Sequence, residues 1–129
     1  MAYGDSNGIQ IPGLIAGRSL TTKQYYFVKM SAATAGAVII VAATTDVPVG
    51  VLQNNPAAGE PAQIQALGAT KIVCGTTAVT AGAVIGWNAE GQANVRTNNG
   101  SRYAGIGLEV SDADAEIVTI FLQGFSRGA

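Results

Sequence analysis

The chain has 129 residues, of which 48% are hydrophobic and only 12% charged, with Lys+Arg 7 against Asp+Glu 8 for a formal net charge of −1. One domain of this length buries about two-thirds of its unfolded surface, and a mean hydropathy of +0.30 supplies apolar material for a single core, which excludes bulk disorder. Seven scattered cations exclude binding of nucleic acid by phosphate neutralisation, and with no His the usual proton shuttle and commonest metal ligand are missing.

Residues 1–22 read as an extended N-terminal arm. Gly4, Gly8, Pro12, Gly13 and Gly17 break any helix or strand period. Yet the arm carries Ile9, Ile11, Leu14, Ile15 and Leu20, more aliphatic surface than a solvated tail holds. Those side chains need a partner surface, either on the domain itself or on another subunit, and Ile9, Ile11, Leu14 and Ile15 are the candidate contact residues. The arm is expected to order from Tyr3 to Leu20 when it binds.

From Lys23 the chain turns to short runs rich in Val, Ile, Thr, Tyr and Phe. Strands are expected at 24–30, 37–43, 47–54, 62–67, 70–74, 84–87, 92–96, 103–110 and 116–123. The segments between them, such as NNPAAGEP, NAEGQ, RTNNGSR and SDADAE, supply the Gly, Asn, Asp and Pro of tight turns. No apolar 3.6-residue period persists, so the fold class is all-β, a small β-sandwich or β-barrel of about eight or nine short strands. The β-domain spans 23–123 and a short tail 124–129. The hexapeptide TAGAVI occurs at Thr34–Ile39 and again at Thr80–Ile85, each time with Ala-Gly at a turn, which suggests two similar β-units at about 34–67 and 80–122.

The chemistry-bearing motifs are absent or incomplete. Cys74, the single cysteine, lacks a thiol partner and a His to activate it, so it reads as an inert strand residue. Glu109, Asp112, Asp114 and Glu116 form the densest acidic cluster, but a calcium loop needs a Gly at its sixth position and a distal Glu, and Ile117 follows Glu116 instead. Gly105-Ile106-Gly107 lacks the third glycine of a dinucleotide loop. No catalytic residues, cofactor or metal ligands are therefore expected, and the protein is not read as an enzyme. The first cation is Arg18, and the longest apolar run, 35–43, falls far short of the roughly 20 residues that span a bilayer. No membrane partner is expected, and synthesis is assigned to the cytoplasm.

The segments PVGVLQNNPAAGEPAQIQALGATKIV, TAGAVIGWNAEGQA and YAGIGLEVSDADAEIVTIFL resemble the head decoration, or capsid cement, proteins of tailed bacteriophages over about residues 45–122. In that family a P-x-G-V-L strand, an A-G-E turn, an A-G-x-x-V turn, a D/N-A-x-G turn and a final A-G-x-A-L-E hairpin recur. Gly107 here takes the place of the more usual Ala. The resemblance implies a β-rich protein made in the host cytoplasm and located on the virion. There it would bind the major capsid protein at the outer capsid surface, commonly as a homotrimer, and stabilise the shell. A different reading of the same residues is a small β-barrel module that recognises carbohydrate or peptide through Tyr25, Tyr26 and Trp87. That reading requires the three aromatics on a concave face; their burial would count against it.

Overall fold

The computed structural model describes residues 8–76, 78–96, 102–111 and 116–127. Its elements are β1 (Ile9–Ile11), β2 (Ile15–Ala16), β3 (Phe27–Met30), β4 (Ala37–Ile40), β5 (Gly50–Leu52) and β6 (Ile64–Val73). They continue with β7 (Val84–Trp87), β8 (Ala93–Val95), β9 (Arg102–Gly107) and β10 (Ile117–Arg127). Hydrogen-bonded neighbours follow the order β2-β4-β3-β5-β6-β10-β9-β7-β8, with β1 added to β6. The fold is all-β, as expected from the alternating runs and turn chemistry.

Each end of this sheet curls back to the residues that flank β6. In the first half, β2 lies parallel to β4 and bridges Pro61, just ahead of β6. The Ala16 N–H donates to the Glu60 carbonyl at 2.9 Å and the Ala62 N–H to the Leu14 carbonyl at 2.9 Å. Thus β2, β4, β3, β5 and the start of β6 enclose one small barrel. In the second half, β8 returns to the residues after β6 through the Cys74–Ala93 bridge, where the Gly75 N–H donates to the Ala93 carbonyl at 2.9 Å. β6 belongs to both halves. Its residues 64–65 pair with β5 and its residues 68–73 with β10. Where the second stretch begins, Gly68 takes φ 97°, a conformation open to glycine, and the strand bends without ending. The buried Gln65 side chain spans the bend by donating from Nε2 to the carbonyls of Leu67 at 3.2 Å and Ala69 at 2.6 Å.

Several expected boundaries change for local reasons. The runs at 62–67 and 70–74 form one strand, because Gly68 bends the chain rather than breaking it. The run at 24–30 yields a strand only from Phe27, because Lys23–Tyr26 is a turn closed by the Tyr26 N–H on the Lys23 carbonyl at 3.1 Å. Residues of the expected tail continue β10 as far as Arg127. The two TAGAVI copies make the same turn: Ala37 N–H donates to the Thr34 carbonyl at 3.3 Å, and Ala83 N–H to the Thr80 carbonyl at 3.1 Å. The strands they lead into hold different places, however. The order β4-β3-β5-β6 is mirrored by β8-β7-β9-β10 about the β6–β10 pair, so β4 corresponds to β8 and not to β7. The hexapeptide is therefore a turn used twice ahead of strands that hold different places in the sheet.

Inward residues form two cores. Ala16, Leu20, Val28, Val38, Leu52, Ala62 and Ile64 fill the first half. The larger core of the second half includes Ile72, Ile85, Trp87, Val118, Ile120 and Leu122, and Phe27 and Val51 reach into it from the first. Cys74 lies buried there, and burial pushes its thiol above the ordinary value, which keeps it protonated and unreactive.

The loop after β4 is held by Asp46, whose Oδ2 accepts from Lys29 Nζ at 2.8 Å and from the Ala42 and Ala43 N–H groups at 2.9 and 3.0 Å. The Lys29 bond, aided by those backbone donors, holds its carboxyl below the ordinary value of 3.8. A depressed acid contributes stability above its unfolded pKa and loses it as pH falls through the folded one. Thermal unfolding should therefore show Asp46→Asn less stable than the parent at neutral pH, with the gap closing below about pH 4. A gap independent of pH would assign the loop's stability to other contacts.

Candidate functional site

The arm is built onto the domain. β1 runs antiparallel to β6, with Ile9 opposite Leu67, Gln10 opposite Gln65 and Ile11 opposite Ile64. The turn at Gly13 then sends the chain back as β2. This hairpin-like path splits the four candidate contact residues into two pairs. Ile11 and Leu14 pack against the smaller core, whereas Ile9 is 61% and Ile15 38% exposed. An apolar cleft of about 410 Å³ lies between arm residues 10–15 and residues 61–63. Residues 8–20 thus dock on their own domain, and Ala16 and Leu20 are buried there. Tyr3, the expected start of the ordered arm, lies outside the described residues, as do Asp112 and Asp114 of the acidic cluster.

A second apolar surface, not anticipated residue by residue, covers the outside of the second half. Val84 faces Ile106, Ile106 faces Phe121 and Phe121 faces Ala69 across adjacent antiparallel strands, so the four share one face. Val84 is 43% and Phe121 41% exposed, and Leu108, two residues on from Ile106, is exposed as well. The signal was present in β10. Its core positions Val118, Ile120 and Leu122 alternate with Ile117, Thr119 and Phe121, so large apolar residues stand on both faces. A sheet with one solvated face would place polar residues there.

The aromatics separate. Trp87 is buried at the end of β7, its ring centroid 6.0 Å from that of Phe27. Tyr25 and Tyr26 remain half-buried at the surface. Burial of Trp87 counts against the three-aromatic recognition face. Among the described residues no group of three or more Cys, Asp or Glu is placed to hold a metal ion, and no helix is long and apolar enough to cross a membrane. What the exterior offers is apolar sheet surface and few charges, an arrangement suited to contact with other proteins.

Comparison with known proteins agrees with this character. The structure is similar to that of the N base of head fiber gp8.5 of bacteriophage phi29, with a TM-score of 0.69 and 16% identity. The likeness, one of fold, covers 92% of this chain and 96% of that one. No curated protein matches the sequence. The family pattern of phage cement proteins matches residues 20–122, from the end of the arm to the last core residue of β10. The chain therefore belongs to the phage cement protein family and is a structural protein associated with the phage capsid.

Proposed function

We propose that the protein binds the outer surface of an assembled capsid through its major capsid protein, associates as a homotrimer and stabilises the shell, with no enzymatic role. The observation that carries the capsid contact is the division within the arm. Ile11 and Leu14 anchor it to the domain, which leaves Ile9 and Ile15 held outward on a fixed backbone. Preorganised apolar groups of this kind bind without the entropy cost of ordering a free segment. The Val84–Ile106–Phe121 face supports subunit association, since interface cores are depleted of charge and enriched in aromatic residues. Closed symmetry is the usual arrangement of identical subunits.

The test is co-sedimentation with purified capsids that lack the protein. Deleting residues 1–20 would strip Ala16 and Leu20 from the core, so point substitutions are the cleaner probe. Ile9→Glu combined with Ile15→Glu should reduce capsid binding at least about tenfold, equivalent to about 1.4 kcal/mol. The circular dichroism spectrum should stay that of the parent. Unchanged co-sedimentation would remove the arm from the contact.

A further inference from the structure

At the other end of β6 the chain places a tyrosine where it otherwise uses glycine. The Lys23–Tyr26 turn has Tyr25 at its third position with φ 70°. The turns Thr34–Ala37, Ala57–Glu60 and Thr80–Ala83 put Gly36, Gly59 and Gly82 there, at φ 77°, 82° and 82°. A type II turn requires positive φ at this position, and a bulky side chain adopts it only at a cost in strain. The backbone of Tyr25 is clamped on both sides. Its N–H donates to the Leu52 carbonyl at 2.6 Å, and its carbonyl accepts from the Val73 N–H at 2.9 Å. Glycine would satisfy these bonds equally well, so the turn itself does not explain the ring. Strain kept in this way points to a use for the side chain.

The ring lines a shallow cleft of about 340 Å³ together with Tyr26, Thr21, Thr22, Gln24 and Asn55. Val73 and Ile117 supply its apolar part. Gln24 and Asn55 orient each other: Asn55 Oδ1 accepts from the Gln24 N–H at 2.9 Å, and Asn55 Nδ2 donates to Gln24 Oε1 at 3.4 Å. Gln24 Nε2 is tied back to the Gln53 carbonyl at 2.8 Å. The nearby ammonium groups lie over the rings, Lys23 at 4.7 Å from the Tyr26 centroid and Lys71 at 6.0 Å from that of Tyr25.

We propose that this cleft is a saccharide-binding site. With an ammonium group over one face of each ring, the ring carbon that still lines the cleft meets the apolar C–H surface of a sugar, while fixed amides and hydroxyls at the rim meet its hydroxyl groups. The lining holds no charged side chain and no Arg fork for phosphate, and the neighbouring Lys23 and Lys71 ammonium groups lie over rings rather than forming a clamp. The volume falls at the small end of the range of about 300–1,000 Å³ typical of small-molecule sites, and suits a short stretch of an extended glycan. Resting on the capsid reading above, many copies on one particle would turn a weak single-site affinity into avidity.

The test uses the free full-length protein and so does not depend on capsid binding. Two-dimensional NMR titration with maltohexaose, cellohexaose and 3′-sialyllactose, to about 10 mM, should shift resonances at residues 21–26, 55, 73 and 117 with at least one probe, the neutral and acidic arms separating hydroxyl from carboxylate recognition. A Kd on the order of 1 mM is expected. Tyr25→Gly should weaken that binding at least tenfold while leaving the melting temperature unchanged or raised. The proposal is overturned by the absence of shifts with all three saccharides, or by shifts centred elsewhere. It is equally overturned if Tyr25→Gly binds as the parent does, or if it melts markedly earlier, which would assign the ring to packing.

Discussion

Replacing Trp87 with alanine is expected to lower the unfolding free energy by about 3–5 kcal/mol, the range for truncating a fully buried large aromatic. Trp87 closes the larger core where β7 ends, and Phe27 from the first half of the sheet meets it with ring planes inclined at 59°. Arg96 covers the indole from outside, its guanidinium 5.4 Å from the ring centroid, and donates to the Trp87 carbonyl. The cavity therefore opens where the two halves join. The Phe27 N–H donates there to the Gly91 carbonyl at 2.7 Å, so backbone as well as side-chain contact is at risk. Against a typical total of about 5–15 kcal/mol, the loss should lower the melting temperature by on the order of 10–20 °C. Urea titration followed by far-ultraviolet circular dichroism measures it directly. A change under about 1 kcal/mol would mean that the indole is not a core residue.

Phe121→Glu should convert the assembled protein to monomer while leaving the domain folded. The ring is exposed on the Val84–Ile106–Phe121 face, so its removal leaves the interior intact, but a carboxylate at the centre of an apolar contact has no partner. Central aromatic residues commonly account for about 2 kcal/mol or more of association energy, roughly a thirtyfold change in affinity. Size-exclusion chromatography with light scattering should show the parent as a trimer whose mass persists in high salt, because apolar contact is little affected by ionic screening. The variant should elute as a single chain. A variant that keeps the parent mass would place the subunit contact on another face, and a monomeric parent would remove the trimer.

The class of the fold was legible because β-branched and aromatic runs alternate with turn residues, and β7 emerges over the residues expected from sequence, Val84–Trp87. What escaped was conformation that residue type does not encode. Pro12 and Gly13 mark a break in the arm, yet they are the corner between two short strands that pair with distant residues, β1 with Ile64–Leu67 and β2 with Ala37 and Val38. Gly68 looked like the end of a strand and is its bend. Tyr25, a strong strand former, sits in a turn because backbone groups from Leu52 and Val73 capture it on both sides. The arm's candidate residues stand out as aliphatics among glycines, but only the folded arm separates Ile9 and Ile15, which face out, from Ile11 and Leu14, which face in. The apolar exterior of β9 and β10 shows in sequence only as Ile117 and Phe121 placed opposite the core alternation of Val118, Ile120 and Leu122.

The strand shared by both halves also determines how the molecule bears load. A pull between the arm end and the Val73 end runs along β6, which is laced to β10 from Ile117 opposite Val73 to Leu122 opposite Gly68. Ladder bonds stand perpendicular to their strands, so this force acts on them in shear and must break them together. A sideways tug on β8 meets a ladder to β7 of three register pairs on one side and the single Cys74–Ala93 bridge on the other, which can open one after another. The protein is thus stiff along one axis and yielding at one edge, and the stiff axis is the one the arm grips.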